Sequence, residues 1–417
     1  MPLSLQRSRF GLAFIILVVL IDSIGFGLIL PVMPSLIIGL TGVSLSEASR
    51  YGGWLLFTYA IMQFFFAPVM GNLSDRFGRR PVLLFALLAL GLDYLLMAFA
   101  PTIVWLFVGR LIAGIAGSTF SIAYAYVTDT TPVEKRAQAF GMVGAAFGGG
   151  FILGPVIGGL LGELGDRVPF YAAAGLALVN FCYGFFVLGE SLAAEKRRPF
   201  ELRRANPVGA LIQLSKFPVV ATLAFAYFLY MLGHNALPAT WTYYTIEKFS
   251  WSESQIGFSL GVAGVFMILV QAGLIRLAIP ALGAFRAGVI GMFAMILGFC
   301  GYGLSQAGWQ LYPAIAVAAL SGFVAPSFQA IMTSRIPDNA QGELQGALSS
   351  ITSLTSVLGP VVMTQLFAYF TGTQAPFYFP GISFIAAAVL TAFCCVIFGS
   401  VVIRHGLTNL GKAGEHG

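Results

Sequence analysis

The chain has 417 residues, of which 58% are hydrophobic and only 9% charged, with a formal net charge of +6 and a mean hydropathy of +0.88. A water-soluble domain keeps about a quarter of its residues charged, so this composition excludes a soluble enzyme or binding module, whereas a bilayer removes the need for a charged surface. The four cysteines (Cys182, Cys300, Cys394, Cys395) all lie in apolar runs, which argues against a disulfide framework.

An apolar helix of about 20 residues crosses about 30 Å of hydrocarbon, and each helix satisfies its own backbone hydrogen bonds. The runs here are continuous and not alternating, so helices are expected and not a barrel. The first run follows Arg7 and Arg9 and continues past Leu30 with no small-residue cleavage site, so it reads as a retained helix, not a signal peptide. Taken in order, the spans are 10–38, 49–71, 81–99, 102–125, 138–161, 168–188, 217–246, 254–279, 282–305, 308–332, 342–369 and 377–402. The predicted fold class is an all-α polytopic membrane protein with 12 transmembrane helices in two pseudo-symmetric six-helix bundles.

The stretch 189–216 is the only long polar connection. It divides a first bundle (1–188) from a second (217–405), with a short tail at 406–417. The halves look like repeats: Trp105 and Trp309, Pro132 and Pro337, Leu153-Gly154-Pro155-Val156 and Leu358-Gly359-Pro360-Val361, and Pro31 and Pro238 all recur at offsets of 204 to 207 residues. Duplicated halves point to a transporter with its binding site near mid-membrane.

With an even number of spans both termini share one side. Only Arg50, Arg167 and Lys248 fall on the opposite side and Arg110 lies within span four, leaving eighteen of the 22 basic residues on the side of the termini. That bias predicts cytoplasmic termini. It also accounts for the basic pI without a nucleic-acid partner.

Several motifs then coincide with one family. GNLSDRFGRR (71–80) resembles the signature loop of the major facilitator superfamily, and WLFVGRLIAGIAGS (105–118) its span-four motif. GGGFILGPVIGG (148–159) resembles the span-five motif of drug/proton antiporters, while IDSIGFGLILPVMP (21–34) and LGLDYLLMAF (90–99) are similar to the tetracycline-efflux group. The likeness covers nearly the whole chain. It implies a monomeric carrier of a bacterial cytoplasmic (inner) membrane that exports amphipathic drugs, with tetracycline-like compounds as candidates, in exchange for protons by alternating access. The proton gradient would drive it, with no cofactor and no metal.

Three charged groups sit deep inside spans, away from their ends: Asp22, Asp93 and Arg110. Counting at about 1.5 Å per residue puts all three about 18 Å from the cytoplasmic edge. Charges there are costly and mark functional or partnered sites. A static ion triad is one reading. The favoured one makes Asp22 the proton carrier beside Gly25, Gly27, Pro31 and Pro34, with Arg110 setting the field. Asp93 is either a second proton site or the group that neutralises Arg110.

The resemblance also assigns a cytoplasmic gate. Gly71 would allow close helix contact, Asp75 would face the N-terminus of span eleven, where the helix dipole favours an anion, and Arg79 would pair with Asp129. Arg76, Gly78 and Arg80 complete the cluster. The equivalent loop of the second half (274–288) keeps Arg276 and Arg286 but no acid, which predicts a one-sided latch. Candidate cavity groups are Tyr59, Gln63, His234, Asn235, Gln271 and Gln329. Gly148, Gly150, Gly154, Gly158 and Gly159 form a small-residue stripe that with Pro155 suggests a hinge, although packing alone explains the glycines. Aligned with the tetracycline group, Met267 stands where that group has a histidine and Met295 where it has an acid, while Gln271 is retained. Proton coupling is then left to the first half.

No HExxH, GxSxG or CxxC occurs, so no catalytic set is visible and the chain is not expected to be an enzyme. GLTNLGKA (406–413) is one residue from a phosphate-binding loop but lacks its hydroxyl. The alternatives are an exporter of another apolar metabolite or lipid, and a transport-inactive sensor or scaffold that keeps the fold.

Overall fold

The computed structural model describes residues 3–117, 119–200, 217–337 and 340–408, with side chains left out at 3–10 and Ala137. The end of the expected linker (201–216) and most of the expected tail lie outside these residues. Among the described residues all regular structure is helical: α1 (Leu3–Leu28), α2 (Met33–Thr41), α3 (Leu45–Phe77), α4 (Arg79–Ala98), α5 (Ile103–Ala116), α6 (Thr119–Thr130), α7 (Val133–Gly162) and α8 (Val168–Val187). After the linker follow α9 (Pro218–His234), α10 (Ala236–Phe249) and α11 (Glu253–Ile268), a π-helical segment (Leu269–Leu274), and α12 (Ile275–Leu304). Then come α13 (Leu311–Ala318), a 3-10 segment (Ala319–Phe323), α14 (Val324–Thr333), α15 (Gln341–Thr371) and α16 (Ile382–Arg404).

Eleven helical stretches among the described residues are long and apolar enough to cross a bilayer. One of them, Glu253–Leu304, is 52 residues long, more than twice what a bilayer of about 30 Å can hold at about 1.5 Å per residue. It is broken at Gly283, whose φ of +80° is non-helical. Expected spans eight (254–279) and nine (282–305) are therefore joined by a glycine break and not by a loop. Span one (10–38) differs too: the helix stops at Leu28 and restarts at Met33 around Pro31. Proline removes a backbone donor and crowds the preceding turn. Span seven likewise divides at Asn235, just before Pro238.

Contacts divide the chain into two compact units. One holds Met1–Val43, Thr58–Asn206 and Trp251–Gly261; the other holds Ser44–Phe57, Pro207–Ser250 and Val262–Gly417. The two units differ from the expected domains at 1–188 and 217–405 in the grouping of two short segments, 44–57 and 251–261. In the second unit a Cβ on Gly53 would lie 3.0 Å from Thr364 Cβ, and one on Gly52 2.8 Å from Tyr243 Cζ. In the first unit, a Cβ on Gly257 would lie 3.0 Å from the Pro155 carbonyl carbon. Glycines at these positions let the ends of α3 and α11 seat where they do.

Inside a bilayer, lipid is as apolar as leucine, so close packing holds helices together more than the hydrophobic effect does. The first unit's core sets Phe14, Ile15, Val18 and Val19 of α1 against Leu83 and Leu87 of α4, Ile122 and Tyr126 of α6, and Val143 of α7. Farther along α1, a Cβ on Gly154 would lie 2.7 Å from Gly27 Cα, and one on Gly150 2.5 Å from Ser23 Cβ. Gly154→Val is accordingly expected to destabilise the protein by about 1–3 kcal/mol or more through overpacking. Gly148→Ala should leave thermal melting in detergent unchanged, since a Cβ there meets nothing within 4 Å.

The second unit is centred on aromatic rings. Trp241 and Tyr244 of α10 meet Tyr302 of α12 and Phe384 of α16, with Trp241–Tyr302 centroids at 5.1 Å and Tyr244–Phe384 at 5.0 Å, both edge-on. Such pairs add attraction beyond their packed area. The Tyr244 hydroxyl donates to the Tyr302 carbonyl.

Candidate functional site

In the first unit, α4 carries Asp93 and α5 carries Arg110. Arg110 Nη2 donates to Asp93 Oδ2 at 2.9 Å, and the two residues are 0% and 4% exposed. The same nitrogen reaches Met97 Sδ at 3.3 Å. Gly109 leaves the space beside Asp93 Oδ1 that a Cβ would occupy. Asp93 Oδ1 and Arg110 Nε are buried with no hydrogen-bond partner, so the pair is held by one contact and retains hydrogen-bonding capacity.

Asp22 is placed differently. It lies on α1 and is half-buried, with the Thr119 side chain beside it, and joins no ion pair among the described residues. Tyr59 lies beside the pair: its ring is 5.8 Å from Arg110 Cζ. Gln63 Nε2 donates to Tyr59 Oη at 3.2 Å and to the Gly117 carbonyl at 3.0 Å. Phe26 stands 6.1 Å from Tyr59 and 6.2 Å from Phe151 between centroids. The first unit thus gathers Asp22, Tyr59, Gln63, Asp93 and Arg110. Met97, Tyr94 and Thr119 were missed by sequence reasoning. Tyr94, which a Cβ on Gly25 would approach to 3.4 Å, is signalled only by its place next to Asp93.

In the second unit, Gln271 lies in the π-helical segment and is exposed. A Cβ on Gly322 would lie 3.7 Å from Gln271 Cγ and 3.8 Å from Met267 Sδ, so the π segment and the 3-10 segment of span ten meet there. His234 is half-buried with Nδ1 unpartnered, stacked at 5.8 Å on Tyr230. Asn235 Nδ2 donates to the Met231 carbonyl at 2.8 Å, at the α9–α10 junction. Gln329 is exposed, and Met295 is a buried core residue.

The gate cluster is tied together at the start of α4. Gly78 has φ +103°, and Glu190 occupies the space of a missing Cβ, so glycine is required. Glu190 accepts the Arg79 amide at 2.8 Å and the Arg80 amide at 3.2 Å, an anion at a helix N-terminus. Arg79 Nη1 lies 2.6 Å from Asp75 Oδ1, and its Nε 3.1 Å from Asp129 Oδ2. Ser191 also donates to Asp129 Oδ2, at 3.2 Å, and the Arg198 amide to the Asp75 carbonyl at 3.1 Å. Arg80 Nη2 donates to the Phe185 carbonyl at 2.7 Å, and Arg76 lies over Phe77 at 5.1 Å. The expected close contact at Gly71 is corrected: a Cβ there meets nothing within 4 Å, because the tight approach falls at Gly78 instead. Glu190, hidden in a polar connection, carried no sequence signal. Glu190→Ala is expected to cost about 1 kcal/mol, as loss of a helix cap does, read as a lowered melting temperature in detergent.

The glycine stripe of α7 admits other backbones. Gly150, Gly154 and Gly158 face α1, and Gly159 faces the Glu253 backbone, while the helix runs unbroken through Pro155. At that end of the unit Ser35 Oγ donates to Glu253 Oε1 at 2.8 Å. Burial raises the nearby Asp166 carboxyl above the usual range, Glu253 adds to the rise, and Arg167 opposes it.

A repeated all-helical membrane fold with a partnered ion pair beside an unpaired carboxylate has the architecture of a polytopic membrane transporter. The family model of the Major Facilitator Superfamily matches residues 15–360 and 223–400, and the chain belongs to that family. It is 40% identical over 389 residues to the class C tetracycline resistance protein of Escherichia coli, covering 93% of this chain and 96% of that one. It is 35% identical over 391 residues to the class H tetracycline resistance protein of Pasteurella multocida, covering 93% and 95%. Among solved structures, the human organic anion transporter MFSD10 matches with a TM-score of 0.68 at 24% identity, covering 95% of this chain and 100% of that one.

Proposed function

We propose that the protein is a proton-coupled antiporter that exports amphipathic drugs, with tetracycline-like compounds the first class to test. One observation carries the reading: among the described residues Asp22 is half-buried and outside any ion pair, whereas Asp93 is fully buried on Arg110. Arg110 is always charged and Asp93 balances it, so Asp22 is the group left to take up and give back a proton. Binding that proton removes a charge from the membrane interior, which lowers the cost of moving α1 between the two open states.

The resistance proteins to which the chain is similar support drugs as the cargo. Tyr59, Gln63 and an aromatic wall of Phe26 and Phe151 suit a mostly apolar ligand with few fixed hydrogen bonds. Met267 and Met295 offer no proton, so coupling rests on the first unit. The basic bias supports a cytoplasmic location of both termini, with the Asp75–Arg79–Asp129 cluster acting as the gate on that side. Proteoliposomes with an imposed pH gradient test the reading. Tetracycline and a panel of cationic and neutral amphipathic drugs are added in turn, and substrate-dependent proton flux is expected with at least one. Silence across the panel, in protein that melts cooperatively, would reject drug export.

A further inference from the structure

The second unit holds a cavity of about 440 Å³ between the start of α9 and the end of α16. Pro218, Thr222, Ser400, Val401, Arg404 and His405 line it, and all but Val401 are exposed. We propose that this cavity binds the phosphate headgroup of an anionic phospholipid.

The argument starts from Arg404. Its guanidinium lines the cavity yet has no acidic partner among the described residues. A planar fork of donors is suited to the oxygens of a phosphate diester. Arg335 lies at the same corner: its Nη2 donates to the His405 carbonyl at 2.8 Å, which fixes the end of α16 and brings a second cation near. It too lacks an acidic partner among the described residues. Across the cavity, Phe217 provides no side-chain cap for α9, so the first-turn amide of Val219 adds a donor.

The surroundings favour a lipid over a free anion. The cavity lies at the ends of two helical stretches, Pro218–Phe249 and Ile382–Arg404, that are long and apolar enough to cross a bilayer. Phe225 of α9 and Phe393, Val396 and Ile403 of α16 are exposed apolar residues on the same two helices, a surface for acyl chains that a free phosphate ion would not use. Basic pockets between helix ends are a recurrent way to hold anionic headgroups. The leaflet concerned depends on the proposed orientation. The binding itself does not depend on the transport reading.

The test titrates phosphatidylglycerol into purified protein in neutral detergent, following melting temperature and, by native mass spectrometry, retained lipid. Wild type is expected to gain stability and retain phosphatidylglycerol over phosphatidylethanolamine. Arg404→Gln should need about tenfold more lipid for half the effect, in line with loss of one charge-assisted contact. Ser400→Leu, which fills the cavity without changing charge, should act in the same direction, and Arg276→Gln, away from the cavity, should behave as wild type. Equal lipid retention by wild type and Arg404→Gln would overturn the proposal. So would equal protection by phosphatidylethanolamine. Inorganic phosphate matching phosphatidylglycerol, with no gain from acyl chains, would assign the cavity to a free anion and overturn the lipid assignment.

Discussion

Asp22→Asn in proteoliposomes is expected to reduce drug-driven proton flux to the level of empty vesicles while leaving the protein folded. The side chains have nearly the same shape, and Asp22 holds no ion pair that the change would break among the described residues. Its melting temperature should therefore match wild type, and drug binding to the purified protein should persist. In wild type, exchange should vary with pH on the two sides of the membrane, because a proton must bind and leave in each cycle. Retained, pH-independent exchange would mean the variant still moves drug but no longer couples it. Retained, pH-dependent exchange would remove Asp22 from the coupling mechanism altogether.

Asp93→Asn should give the opposite profile. It leaves the Arg110 guanidinium buried without a counter-charge, and breaking a buried pair on one side costs about 3–5 kcal/mol. Arg110→Gln, which strands the Asp93 carboxylate at 0% exposure, should cost a similar amount. The double substitution removes both charges and should recover most of the loss, because a desolvated pair contributes little net stability. Thermal melting of the four proteins forms a double-mutant cycle, with an expected coupling of about 2 kcal/mol or more. Additive losses would show that Asp93 and Arg110 are held by separate partners and not by each other.

These two predictions separate roles that the sequence left merged. The count along each helix placed Asp22, Asp93 and Arg110 at one depth, but depth is a one-dimensional quantity. Which carboxylate meets the arginine depends on the rotation of α1, α4 and α5 about their axes and on how closely they approach. A single glycine, Gly109, opens the space at Asp93 Oδ1. The gate shows the same limit. Asp75, Arg79 and Asp129 were legible because they form a recognisable motif, while Glu190 and Ser191 lie in an unpatterned polar stretch and reach the cluster only through the path of the chain. Gly71 shows it too: residue type suggested a close contact, and a Cβ there meets nothing within 4 Å.

By itself the sequence determined the all-helical membrane class and the family, because each follows from composition, periodicity or motif within one stretch of chain. A bilayer leaves few other ways to satisfy a backbone. The tertiary structure alone decided where helices stop within a span, which short segments cross from one unit to the other, and which charge is partnered. Those outcomes rest on contacts between residues far apart in the chain, such as Gly27 with Gly154 and Glu190 with the amide of Arg79. Differences of an ångström in those approaches carry the energy, and no local pattern of residues records them.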